Sequence, residues 1–250
     1  MSGSDADLRR RRELEEGFWR TSPDERPESD SIWNIVNKAQ EAAVFLELVE
    51  RYRPHFAGAS SVLELGAGQG WASCIVKRLF PEARVTVSDL STSAVASVSK
   101  WEYVYAVSVD ASRAYPSDEL DEADASHDLI FCFAAAHHFA AHEGTLREIA
   151  RVLRPGGRAL YLYEPSCPSY LYRPALWRVT RKRPEVPEDV LQHDRIRELA
   201  GRAGLGCTVE FFPSARHRGP VETLYYTVLG KAAFLQPRVP CTANYVFSKP

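Results

Sequence analysis

Two adjacent imidazoles, His137 and His138, stand just past an apolar run, in HDLIFCFAAAHHF (127–139). An imidazole changes charge near neutral pH, so either ring can take a proton from a hydroxyl or amine that is forming a bond. Position alone does not choose between them. Glu164 follows a second apolar run, in RALYLYEP (158–165), and brings a carboxylate to the same end, as a base or as a group that orients its neighbours. His127 precedes its run and falls at the opposite end. No histidine–carboxylate set has convincing metal spacing, although His137, His138 and His142 share a segment, and no metal is expected.

A different set of residues is built to hold a ligand. VLELGAGQG (62–70) runs an apolar strand into Gly66, Gly68 and Gly70, with a helix to follow. Gly66 can take the turn's positive φ, and Gly68 lets a ligand approach the backbone. The next helix aims its first N–H groups at whatever sits there. The dinucleotide fingerprint is GxGxxG; here the spacing is GxGxG, and Trp71 stands where the third glycine is wanted. Glu64 lies two residues before Gly66. A carboxylate there repels a pyrophosphate but can hold the ammonium of an amino acid. Asp89 ends VTVSD, one helix and one strand beyond Gly70, at the edge of the crevice where open α/β sheets bind ligands.

Positioning these groups requires a sheet. SVLEL (61–65), RVTVS (84–88), YAVSV (105–109), DLIFCF (128–133), RALYLY (158–163), CTVEFF (207–212) and ANYVFSK (243–249) read as strands. Helical patterns fall at 70–80, 91–100, 142–153 and 189–203. Strand–helix alternation with apolar strands predicts an α/β fold: a doubly wound, mostly parallel seven-stranded sheet with helices on both faces. Residues 1–31 are polar, with Arg9–Glu13, Arg11–Glu15 and Arg12–Glu16 spaced to pair on a helix, then a Pro/Ser-rich stretch expected to be a loop or mobile lid. Residues 32–250 form one domain: a lid helix (32–53), a core (60–165) and two long connections (164–188, 213–241). The second connection has some helical character from 221 to 235.

Bulk composition narrows the class. The chain has 250 residues, a formal net charge of −2 and 45% hydrophobic residues. That balance argues against a general nucleic-acid binder. No run of 18 apolar residues suits a bilayer and no secretory leader is visible, so no membrane role is expected. Five scattered cysteines fit free thiols in a reducing compartment, and the cytoplasm is the expected location.

The glycine turn and the segments after it resemble the class I S-adenosylmethionine-dependent methyltransferases. ELGAGQG is similar to their first motif, E/D-x-G-x-G-x-G, and VTVSDLS, VSVDAS, HDLIFCFAAAHHF and LREIARVLRPGGRALYLYEP (146–165) follow in the family's order. The resemblance covers about residues 60–165. It implies S-adenosyl-L-methionine as cofactor, with Asp89 on the ribose hydroxyls and Asp110 at the adenine. Around them it implies Glu64, Gly66, Ala67, Gly68, Leu90, Ala111 and Phe133. It also implies methyl transfer to oxygen or nitrogen of a small-molecule acceptor, as in specialised metabolism, with His138 or His137 as base. Trp33 is expected to face the site from the lid helix. Tyr170 belongs to an aromatic, proline-rich stretch suited to line an acceptor pocket with Trp33 and Glu164. The basic cluster Arg173, Arg178, Arg181, Lys182 and Arg183 reads as a solvated loop face, or else as a contact for an acidic acceptor. Two other classes remain: a non-catalytic cofactor-binding domain serving as partner or regulator, and a NAD(P)-linked oxidoreductase, which Trp71 and Glu64 count against.

Overall fold

The computed structural model describes residues 5–27, 29, 31–181, 188–216 and 218–250. In chain order the elements begin with α1 (Asp5–Thr21), α2 (Ile32–Arg51), α3 (Arg53–Ala57), β1 (Ser61–Glu64), α4 (Trp71–Leu79) and β2 (Arg84–Asp89). Next come α5 (Thr92–Ala96), α6 (Val98–Tyr105), β3 (Ala111–Ala114), β4 (His127–Phe133), α7 (His142–Val152) and β5 (Leu153–Cys167). The last are α8 (Tyr172–Thr180), β6 (Leu191–Gln192), α9 (His193–Arg202), β7 (Gly206–Phe211), α10 (Pro220–Lys231) and β8 (Cys241–Ser248).

Strand periodicity builds two cores. Along β4, Leu129, Phe131 and Phe133 enter the layer filled by Phe45 and Leu48 of α2 and Trp71 of α4. Ile130 and Cys132 enter the opposite layer, with Leu146 and Ile149 of α7 and Ile196 of α9. A strand apolar on both faces has to be sandwiched, and the helices supply both covers. The sheet order is β3-β2-β1-β4-β5-β8-β7, with two-residue β6 pairing the end of β5. β1 through β5 pair in parallel, and β8 runs antiparallel between β5 and β7. The chain reverses direction across the sheet between β1 and β4, which opens a crevice at the C-terminal strand ends.

Three segments differ from the expected pattern. YAVSV at 105–109 is not the third strand: α6 runs through Tyr105, and pairing starts only at Thr86↔Ala111. Burial of Trp101 holds the helix on, with its indole N–H donating to Gln69 Oε1 at 2.9 Å, and this overrides the β-branched run. The helix expected at 91–100 is two helices, α5 and α6, meeting at Ser97. The connection 164–188 contains α8, because Pro174 sits in a first helical turn, where its missing N–H costs nothing. Lys182 and Arg183 of the basic cluster, with Pro184, Pro187 and His217, lie outside the described residues.

Gly70 is where the turn's tightness can be tested. Its φ is +76°, and a Cβ there would meet Val98 Cγ2 at 2.7 Å and Val87 Cγ1 at 3.2 Å. Strained backbone and overpacking add up, so Gly70→Ala should lose about 3 kcal/mol of stability in a urea titration.

Candidate active site

The ends of β1, β2, β4 and β5 open into one cavity of about 570 Å³. Gly66, Ala67 and Gly68 form part of its floor, with Asp89 and Leu90 beyond β2 and Phe133 at the tip of β4. Asp89 is buried, and its two carboxylate oxygens accept from Gly68 N at 2.8 Å and Ser91 N at 2.9 Å. The side chain that caps α5 is Ser91, which accepts from Ala94 N, so Asp89 is not spent on a helix cap. Burial pushes the Asp89 carboxyl up to about 6 against the pull of those two N–H groups.

Glu64 does not reach the cavity. It lies beneath the floor, where it accepts from Ser73 N at 2.9 Å and from the Ser73 hydroxyl, and burial pushes it up to about 8. Its place is corrected from ligand contact to anchor of the first turn of α4. Trp71 turns into the core beside Phe45 and Phe133 rather than blocking the helix–strand contact. Asp110 and Ala111 are likewise corrected. Asp110 accepts from Lys77 Nζ at 2.9 Å and Val85 N at 2.8 Å, away from the cavity. Because β3 begins later than expected, the residues its end brings to the wall are Tyr115 to Asp118.

The cavity's cover comes from the N-terminal segment. The indole of Trp19 lies so close to Gly68 that a Cβ there would sit 2.8 Å from it. Arg12 pairs with Asp118 at 2.8 Å and Glu119 at 2.9 Å, and Gln69 Nε2 donates to Glu25 O at 2.9 Å. Residues 5–27 are therefore tied to the domain, and Arg12 pairs with Asp118 and Glu119 in place of Glu16. The sequence carried a faint signal: Phe18 and Trp19 are adjacent aromatics in an otherwise charged stretch. Trp33 is 66% exposed and does not line the cavity. The aromatic side chain that α1 and α2 bring to the cavity beside Gly68 is that of Trp19. S-Adenosylhomocysteine should change tryptophan fluorescence in wild type and in Trp33→Phe. In Trp19→Phe most of that change should vanish, and an unchanged signal there would contradict this placement.

At the far wall, the 3-10 turn at Ala136–His138 is organised by Glu164. This side chain is wholly buried and accepts from Ala135 N at 2.9 Å, Ala136 N at 2.8 Å and His137 N at 3.2 Å. Its Oε2 also lies 2.8 Å from His137 Nδ1. That contact puts a proton on Nδ1 and leaves Nε2 as the nitrogen for the cavity. Burial works against the imidazolium, but the hydrogen bond and charge of Glu164 outweigh it, and the His137 pKa is raised. His138 packs on His137 with ring centroids 4.2 Å apart. The geometry thus joins Glu164 to His137 and not to His138.

Further lining of the cavity comes from other elements. Tyr163 has a left-handed φ of +61° at a register shift between β5 and β8, and its ring stacks on Phe133 with centroids 5.7 Å apart. A bulge of this kind re-aims a side chain beside a site. Arg178 and Val179 come from α8, and Arg218, Glu222 and Tyr226 from the second long connection. Arg218 lies over the Tyr226 ring at 3.6 Å and donates to Ser214 O at 2.7 Å. Tyr170 is excluded: it is 71% exposed and donates its hydroxyl to Arg238 O. Among the described residues no group of three or more His, Cys, Asp or Glu side chains is arranged to hold a metal, and no helix is long and apolar enough to cross a membrane.

Residues 63–161 match the methyltransferase domain family. A malonyl-[acyl-carrier protein] O-methyltransferase from Hahella chejuensis is 31% identical over 102 residues, 40% of this chain. The match spans about a third of that relative's length, 34%. Among solved structures, the YcgJ protein of Bacillus subtilis superposes with a TM-score of 0.59 at 17% identity, covering 83% of this chain and 98% of that one. Geranyl diphosphate C-methyltransferase from Streptomyces coelicolor A3(2), solved with Mg2+, geranyl diphosphate and S-adenosyl-L-homocysteine, gives 0.62 at 11% identity, covering 82% and 78%. The domain match falls on the strands and turn that build the cavity floor: residues 63–161 are similar to a methyltransferase domain, and the sheet has the fold of these solved structures.

Proposed function

We propose that this chain transfers a methyl group from S-adenosylmethionine to an oxygen or nitrogen of a small-molecule acceptor. The observation that carries the reading is a single cavity joining the Gly68–Asp89 floor to the His137–Glu164 pair. The residues fit the cofactor. Gly66 and Gly68 have no room for a Cβ, so backbone itself forms the floor, and Asp89 and Glu15 give that end a carboxylate lining suited to a cationic ligand. A pyrophosphate would meet the same carboxylates as repulsion.

Bound there, S-adenosylmethionine would supply an electrophilic methyl carbon. The chain's own work is alignment and proton transfer. Asp89 and the Gly66–Gly68 backbone hold the nucleoside end, and Trp19 closes over it and sheds water. Tyr163, Arg218 and Tyr226 shape the acceptor lobe. His137 Nε2 takes the acceptor's proton as the new carbon–heteroatom bond forms, and Glu164 stabilises the resulting imidazolium.

Calorimetry with S-adenosylhomocysteine and NAD, then a screen of phenols, carboxylates and amines for labelled methyl uptake, tests the proposal. S-Adenosylhomocysteine should bind, NAD should not, and one acceptor class should be labelled. Binding of NAD alone would overturn it. Cofactor binding with no labelling across the panel would favour a cofactor-binding partner protein instead.

A further inference from the structure

The N-terminal helix brings one more group into the cavity, and nothing in the domain match accounts for it, since α1 precedes residue 63. Glu15 lines the cavity on the same helix as Arg12, which pairs with Asp118, and Trp19, which packs against Gly68. Its Oε2 lies 3.8 Å from His138 Nδ1, and it feels the charges of Asp89, His137 and Glu188. Asp89 marks the floor beyond β2, and the histidine pair marks the end of β4. Glu15 therefore stands between the part of the cavity that holds the nucleoside and the part where the acceptor proton leaves.

We propose that Glu15 is a charge-discriminating cofactor residue, which holds the positively charged methyl donor in preference to its neutral demethylated product. The inference rests on the proposed methyl transfer and adds a residue to its site. Donor and product share adenosine and the amino-acid tail, and they differ in one methyl group and one positive charge. The floor contacts through Asp89 and Gly68 address the shared part and cannot tell the two apart. A sheltered carboxylate facing the reacting end can, because Coulomb attraction grows as water is excluded. Burial and the neighbouring Asp89 charge push the Glu15 carboxyl up to about 7, and a cation beside it would favour its charged form. When the methyl leaves, the sulfur keeps the bonding electron pair and becomes neutral. The attraction to Glu15 is then lost, and product release is eased.

The test compares three ligands by calorimetry on the full chain: S-adenosylmethionine, sinefungin (whose amine keeps a positive charge near that position) and S-adenosylhomocysteine. Glu15→Gln should weaken the two cationic ligands by about tenfold and leave S-adenosylhomocysteine within about twofold. Glu15→Asp should recover part of the preference, and Trp19→Phe should weaken all three alike. Equal loss for all three ligands in Glu15→Gln, or no loss for any, would overturn the assignment and leave Glu15 a packing residue of the cover. Thermal melting of each variant separates misfolding from either result. If Glu15→Gln does not fold, Glu15→Asp decides: its shorter carboxylate should weaken the two cationic ligands more than S-adenosylhomocysteine, and an equal change for all three would overturn the assignment. Failure of all three ligands to bind wild type would instead strike the methyl-transfer reading itself.

Discussion

Asp89→Asn is expected to weaken S-adenosylhomocysteine binding by about a hundredfold or more while the protein stays folded. A ribose diol donated to a buried carboxylate forms charge-assisted hydrogen bonds, each worth about 1.5–3 kcal/mol, and an amide forfeits most of both. The amide oxygen can still accept from Gly68 N or Ser91 N, so the turn keeps a partner for one of them. Stability should move the other way from affinity. Folding raises the Asp89 pKa from its ordinary 3.8 to about 6 because the carboxyl is buried. Between those values the folded chain keeps a proton that the unfolded chain has lost, so stability falls as pH climbs through the window. A neutral side chain removes that penalty, and Asp89→Asn should melt at pH 7 no lower than wild type. Asp110→Ala is the matched control: its carboxylate pairs with Lys77 outside the cavity, and affinity should hold within about twofold. Lost binding in the control, or retained binding in Asp89→Asn, would relocate the nucleoside end.

The core of the fold was legible because its strands are apolar on both faces and its helices are amphipathic, so periodicity marked β1, β2, β4 and α7 within a residue or two. Gly66, Gly68 and Asp89 were legible for a related reason: backbone geometry and a strand end constrain them locally. What could not be read was set by long-range packing. The resemblance put Asp110 at the adenine and YAVSV looked like a strand, yet α6 runs through Tyr105 and β3 spans only Ala111–Ala114. Glu64 has the right spacing for a ligand contact, but only the fold shows Ser73 taking its carboxylate. Trp33 and Trp19 both sit in N-terminal helices, and beyond the adjacent Phe18 and Trp19 no local pattern says which of them turns inward. Glu164 was recognisable as near the site. That it grips three backbone N–H groups and one imidazole depends on β4 and β5 being neighbours in register.

That grip has the second large consequence. His137→Ala should lower turnover on the identified acceptor by about a hundredfold or more, with the affinity for S-adenosylhomocysteine within about twofold, because a general base contributes roughly 10²–10⁴ to rate. His138→Ala should stay within a few-fold of wild type, since the ring that Glu164 orients is that of His137. Glu164→Gln separates orientation from mere presence of the imidazole. The amide oxygen can still accept from Ala135 N and Ala136 N, but its NH2 would face the Nδ1–H. The ring must then carry its proton on Nε2, where it cannot accept another. Turnover should fall nearly as far as in His137→Ala, though the ring is still there. The pH profile carries the signature. A base works only when neutral, and Glu164 raises the His137 pKa, so wild-type turnover should climb with pH through a midpoint above the ordinary histidine value of 6.5. In Glu164→Gln the residual activity should rise at lower pH, because the carboxylate that favoured the imidazolium is gone. Glu15 titrates near 7 in the same cavity, so the profile is measured in the Glu15→Gln background as well. A midpoint that does not move in Glu164→Gln would remove His137 as the titrating base and leave alignment alone to drive the transfer.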